Sequence, residues 1–440
     1  MITILIIVLG MRISKSYKLL TTAAIASLAL AACGSSTEGS TTSAPSTRSA
    51  TTEAGHDHEA ETGHEHDHDN GADAGAKETT EAHPRLVVGT ETGVSVLDHK
   101  LAMLATFPTE QRPTLTTAAD GRHVLAVQNK AGVVNVVDSG SWAQVHGDHF
   151  HYYAAAPAIF DEALKGGKPV HVVGNAAADL TTVFFDATGA ATLLTHEAFE
   201  TKELHGLKTV GTKGPQHGVV IPLANKDMLV TQPGDKGAMP DTIELQSADG
   251  TVKDTFTCND MHGEVVVGNT AAYGCVDSVL IIRDGKATTI PAPDASGERV
   301  GGLVTNAKGT AFLGDWGDTS LVFINNDKAT VVDIGVSYTN RVALPKDQFA
   351  VLGTDGDLRT FDANGKELQK IHVTNAWTKP AGHSAVMPGL ASGVLSSTPM
   401  VWVTEPDANK VHAVDIFTGK VTSADVAGQP VSIAVTNGEG

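Results

Sequence analysis

Val94-Ser95-Val96-Leu97-Asp98 returns 40 residues later as Val134-Asn135-Val136-Val137-Asp138. Each is a short apolar run that ends in an acid, with Gly, Asp and Asn close by. Runs of this length bounded by such residues read as strands. The pattern recurs at Val183-Phe184-Phe185-Asp186, Ile281-Ile282-Arg283-Asp284, Leu321-Val322-Phe323-Ile324-Asn325, Thr360-Phe361-Asp362 and Val411-His412-Ala413-Val414-Asp415, and more weakly over residues 243–250. That makes eight copies, with a step of 40 residues between the first two acids and 53 between Asp362 and Asp415. Repeats of about 40–50 residues with four short strands each are the mark of a β-propeller.

A four-stranded sheet cannot cover both of its own faces, but neighbours around a ring can. The expected class is therefore all-β, a β-propeller of eight blades, with seven as the alternative. Two stacked sandwiches fit the unbroken repeat less well. Residues 86–107 hold only three strands of the first blade. The run Gln429-Pro430-Val431-Ser432-Ile433-Ala434-Val435 supplies the missing inner strand, so the C-terminal strand closes the ring and no edge is left open. In the second blade the expected strands are 113–119, 123–128, 133–138 and 141–145, innermost first.

Ahead of the repeat the composition changes. Arg12, Lys15 and Lys18 followed by an apolar stretch read as an export signal over residues 1–32, with Met11 a better start than Met1. Leu30-Ala31-Ala32-Cys33-Gly34 resembles a bacterial lipobox. In proteins with that motif the signal is cut before the cysteine, here Cys33, whose thiol is lipidated. Residues 33–84 are Ser, Thr, Gly, Ala and acids with almost nothing to bury, and read as a disordered tether. The propeller is expected over 85–440.

Within the tether, residues 55–69 hold His56, His58, His64, His66 and His68 among six carboxylates. Imidazole nitrogen with carboxylate oxygen suits zinc, and also copper(II) and nickel(II). Metal capture is the expectation and a plain acidic spacer the alternative. The net charge of −19 argues against nucleic acid and concentrates cations nearby. Only three cysteines occur, which suits one Cys258–Cys275 disulfide in an exported protein plus Cys33.

Phasing the blades puts four histidines at the heads of inner strands: His151, His217, His262 and His383. The starts of inner strands share one rim of the central channel, so three of these four are expected to bind one metal ion. Glu264 and Asp260 are candidate additional ligands, and His149 is the substitute for His151. His123, His171, His196, His205, His372 and His412 fall at outer-strand or loop phases and read as structural or solvent-facing. No Gly-x-Ser-x-Gly, Gly-x-Gly-x-x-Gly or His-Glu-x-x-His occurs, so no enzyme is expected. Four Trp at irregular positions disfavour a quinone-cofactor dehydrogenase.

The His/acid segment at 55–69, Gln216-His217-Gly218-Val219, Asp260-Met261-His262-Gly263-Glu264 and the cysteine pair around the latter carry a resemblance. With them the chain resembles the AztD family of zinc metallochaperones, exported β-propeller proteins that pass zinc to the solute-binding protein of a zinc ABC transporter. The resemblance covers residues 85–440 and the tail. It implies Zn2+ as the bound ion, that transporter component as partner and an extracytoplasmic location. The lipobox departs from the family and implies a chaperone held to the bacterial cell membrane by a lipid anchor; a monomer is expected. The competing expectation is a lipoprotein propeller scaffold for envelope assembly, with incidental histidines.

Overall fold

The computed structural model describes residues 75–146, 149–234, 237–294, 296–380 and 386–436. The architecture below belongs to the unit His68–Gly440. The expected signal, Cys33, the five tether histidines and His383 lie outside the described residues. No helix among the described residues is long and apolar enough to cross a membrane.

The folded unit is all-β. Its core is a succession of antiparallel sheets, seven of four strands and one of five. We number them 1 to 8 in chain order. In sheet 1 the C-terminal strand Ser432–Thr436 pairs with Arg85–Gly89, followed by Gly93–Asp98 and Met103–Pro108. Sheets 3 to 8 each follow the simple meander expected of the repeat. Sheet 3 starts with Pro169–Asn175, sheet 4 with Val220–Pro222, sheet 5 with Glu264–Val267, sheet 6 with Leu303–Thr305, sheet 7 with Tyr338–Leu344 and sheet 8 with Leu390–Leu395.

Successive sheets share apolar clusters, which is why the runs at 94–98 and 134–138 are buried on both faces. Val94 and Val96 pack with Val124 and Val137 between sheets 1 and 2. Phe323, Phe349 and Phe361 pack between sheets 6 and 7. Trp402 and Val411 of sheet 8 pack with Leu86 and Leu97 of sheet 1. Each large apolar side chain removed from water contributes about 1.5–3 kcal/mol, so the sheets hold one another rather than standing alone.

Sheet 2 departs from the expected phasing. Thr114–Thr117, His123–Gln128 and Val133–Asp138 form as read, but the fourth position is filled by Ala158–Ile159 and Leu164–Lys165. Ser141–His146 instead turns back on His149–Ala154, with His146 opposite His149. Lys77–Thr79 adds to this hairpin through Lys77 opposite Ala154, making a three-stranded side sheet. Gly147-Asp148 between the two runs is a two-residue hairpin signal, and this local pairing takes precedence over completing the blade. Trp142 stacks on Tyr153 at 5.3 Å and carries the Arg122 guanidinium over its ring at 3.8 Å. Arg122 pairs in turn with Asp138 at 2.6 Å, tying the side sheet to sheet 2. Residues 77–79, expected in the tether, thus belong to the folded part.

Candidate metal centre

Three imidazoles from sheets 3, 4 and 5 stand together. His171 lies in Pro169–Asn175, His217 three residues before Val220–Pro222, and His262 two residues before Glu264–Val267. The register of Pro169–Asn175 against Leu180–Phe185 shifts between Pro169 and Val172. A bulge of this kind re-aims the side chain it carries, and His171 is that side chain. The Nε2 atoms of His171 and His217 are 3.2 Å apart, with ring centroids at 4.7 Å. The His217 and His262 rings are 5.8 Å apart.

Each ring is held at Nδ1. His171 Nδ1 meets Glu264 Oε1 at 2.7 Å, His217 Nδ1 meets Asp186 Oδ2 at 2.9 Å, and His262 Nδ1 donates to the Gly301 carbonyl at 2.7 Å. Ionised carboxylates and a carbonyl only accept, so each Nδ1 carries a proton, and each ring presents an Nε2 lone pair when it is neutral. Two lone pairs facing at 3.2 Å repel unless a metal ion or one shared proton sits between them. Two nitrogens at roughly 2.0–2.1 Å from a tetrahedral zinc ion stand about 3.3 Å apart, so the His171–His217 spacing is that of one edge of a zinc tetrahedron. Histidines that ligate metal typically donate their other N–H to a carboxylate or carbonyl, as all three do here. Among the described residues no three such side chains are placed to hold a metal ion; the His171–His217 pair is at ligand spacing and His262 stands farther off.

The electrostatics favour a cation. Burial pushes the His171 imidazole down, but the charge of Glu264, its hydrogen bond and the charge of Asp186 outweigh it, and the net direction is up. Burial pushes the Glu264 carboxyl up, yet the neighbouring histidines, His171 foremost, hold it below its ordinary value and ionised. Burial is the main cause that pushes His262 down, against its bond to Gly301, so it stays neutral and ready to ligate. Glu264 Oε2 and Asp186 Oδ1 are buried with no hydrogen-bond partner among the described residues. Orphaned carboxylate oxygens at this spot fit a site built to take a positive ion.

The remaining expected residues fall elsewhere. His151 is in the side sheet, with Nδ1 on Glu78 at 2.5 Å; the diversion of Ser141–His146 moved it out of the phase assigned to it. His171, read from sequence as structural, occupies that phase. Asp260 is 54% exposed and pairs with Arg299 at 3.2 Å, while its backbone N–H bonds Asp241. Glu264 is at the centre but turned to His171 Nδ1. The side chain of His149 and all of His383 lie outside the described residues. Asp186 is the acid of the third repeat copy; its sequence signal was the repeat itself, read only as a turn. Cys258 and Cys275 are joined, with Cα atoms 5.1 Å apart. The bridge ties the loop that carries His262 to the strand Thr270–Gly274, where Gly274 O also accepts the His262 N–H at 2.9 Å.

Fold and side-chain geometry together define a class: a propeller-like all-β protein in which histidines of three successive sheets stand close together. No family model matches the chain. The chain is similar to the zinc chaperone AztD of Citrobacter koseri, at 26% identity over 351 residues, which are 77% of this chain and 82% of that protein. The crystal structure of Citrobacter koseri AztD matches with a TM-score of 0.72 at 24% identity, over 82% of this chain and 99% of that one. Its apo structure matches at 0.70 with the same coverage. A more remote likeness of fold is to the dihydro-heme d1 dehydrogenase NirN in complex with DHE, with a TM-score of 0.54 and 11% identity over 83% of this chain and 80% of that one.

Proposed function

We propose that this chain is an extracytoplasmic zinc metallochaperone, which binds Zn2+ at His171, His217 and His262 and passes it by ligand exchange to the solute-binding protein of a zinc ABC transporter. The observation that carries the reading is the pair of Nε2 lone pairs 3.2 Å apart, each fixed from behind by a carboxylate. The similarity to a zinc chaperone supports the same reading. In it Glu264 and Asp186 support ligands rather than bind, and His383 is the candidate fourth imidazole. With His383 as the exchangeable fourth ligand, the position it gives up takes a ligand brought by the acceptor, which is what exchange without release of free ion requires.

The finer parts of the reading are these. The eight sheets form eight blades around a channel, closed by the pairing of Ser432–Thr436 with Arg85–Gly89. Residues 1–32 are the export signal, Cys33 carries the lipid anchor, and the histidines of 55–69 make the first, weaker capture. The protein acts as a monomer and performs no catalysis. An envelope scaffold would need no array of three imidazoles each braced at Nδ1.

The test is zinc content and affinity of the purified chain beside the His217→Ala/His262→Ala double variant. The reading expects stoichiometric zinc in the first and loss of that ion in the second, with unchanged circular dichroism. Equal affinity in the two proteins refutes the site.

A further inference from the structure

His262 is braced by a backbone carbonyl rather than by a carboxylate, and that carbonyl is itself held. Gly301 O accepts the His262 Nδ1–H at 2.7 Å. The N–H groups of Gly301 and Gly302 both donate to one oxygen, Asp315 Oδ1, at 2.8 and 2.9 Å. Asp315 lies on the second strand of sheet 6, Ala311–Trp316, and faces Arg341 of sheet 7 at 3.8 Å. The room around this link is small. Gly263, next to His262, has φ of +82°, and a Cβ there would meet Gly301 O at 2.6 Å. The carbonyl therefore has one place to be, between His262 and the amides clamped by Asp315.

We infer that Asp315 is a positioning residue for the metal site. It touches no ligand nitrogen; by fixing the Gly301–Gly302 amides it aims the Gly301 carbonyl and so sets the tautomer and direction of His262. A carbonyl that swings away leaves His262 to exchange its proton between two nitrogens, and the tautomer with Nε2 protonated cannot ligate through Nε2. Position, not charge, is the property used, because a neutral amide oxygen at the same place accepts the same two bonds. This inference rests on the metallochaperone reading for its consequence in zinc affinity, but not for its effect on His262.

Two variants of the full chain separate position from charge. Asp315→Asn removes the charge and keeps an acceptor in place; Asp315→Glu keeps the charge and displaces the acceptor by one methylene. Zinc affinity by chelator competition is expected to stay near that of the parent in Asp315→Asn and to fall about 10–100-fold in Asp315→Glu, the usual cost of disturbing an outer-shell partner. In metal-free, 15N-histidine-labelled protein the His262 resonances are expected to report the Nδ1–H tautomer in the parent and in Asp315→Asn, and a mixture in Asp315→Glu. A His262 tautomer indifferent to both substitutions overturns the inference, as does an Asp315→Asn protein as weak as Asp315→Glu. If the parent binds no zinc, the functional reading fails, while the tautomer arm still decides whether Asp315 governs His262.

Discussion

His171 Nε2 and His217 Nε2 face each other across 3.2 Å although 46 residues and a sheet boundary separate them in the chain. With both Nδ1 protons committed to carboxylates, the gap suits a shared proton or a metal ion. Each of the proposed ligands is individually testable.

Replacement of His171 by Ala is expected to weaken zinc binding by at least 10-fold, on the scale found for partners one shell further out. Replacement of His151 by Ala is expected to leave it unchanged, because His151 sits on Glu78 in the side sheet. Isothermal titration of both variants checks the contrast. A loss in His151→Ala equal to that in His171→Ala restores the sequence-based phase.

The carboxylates behind the ligands are expected to matter without touching the ion. Asp186→Ala removes the acceptor for His217 Nδ1 and is expected to cost about 10–100-fold in zinc affinity. Asp186→Asn keeps an oxygen acceptor and is expected to cost less. Affinities measured by competition with a chromophoric chelator give the order.

Zinc affinity is expected to fall as pH falls, beginning above the ordinary imidazole value of about 6.5. The sign follows from His171. Its pKa in the metal-free protein is raised, so the proton is already a competitor at near-neutral pH and must leave when the metal enters. Calorimetry in buffers of different ionisation enthalpy counts the released protons. No proton release near neutral pH contradicts the account of His171.

The Cys258–Cys275 bridge closes a loop of 17 residues. Loops of about 15 residues contribute roughly 3 kcal/mol in the chain-entropy account. The Cys258→Ser/Cys275→Ser protein is expected to unfold at lower denaturant by about that amount. It is also expected to bind zinc more weakly, since the bridge holds the segment that carries His262. Equal zinc affinity at conditions where both proteins are folded makes the bridge a staple and no more.

Trp402 is fully buried between sheets 8 and 1, and its indole N–H has no partner. Trp402→Ala is expected to cost about 3–5 kcal/mol through the cavity it leaves. Trp402→Phe loses less volume and also removes the unpaired donor, so its cost is expected to be smaller. Urea midpoints of the two variants give the comparison.

The all-β class was legible in the sequence because it is a local, repeated property: apolar runs with acids and turns at a near-constant interval. The closeness of His217 and His262 was legible for the same reason, since each precedes a strand whose phase the repeat sets. The cysteine pair followed from counting. His171 was not legible. Its place depends on Ser141–His146 leaving sheet 2 for a hairpin with His149–Ala154, and on a register shift that turns one side chain. Both are competitions between nearly equivalent strand pairings, and only the packed structure decides them. The partners of the rings, Glu264, Asp186 and the Gly301 carbonyl, come from separate sheets and loops, so no spacing announces them. Residue types and periodicity point to histidines at strand heads; which rings come close to one another, and which oxygen holds each ring, is decided only when the sheets meet.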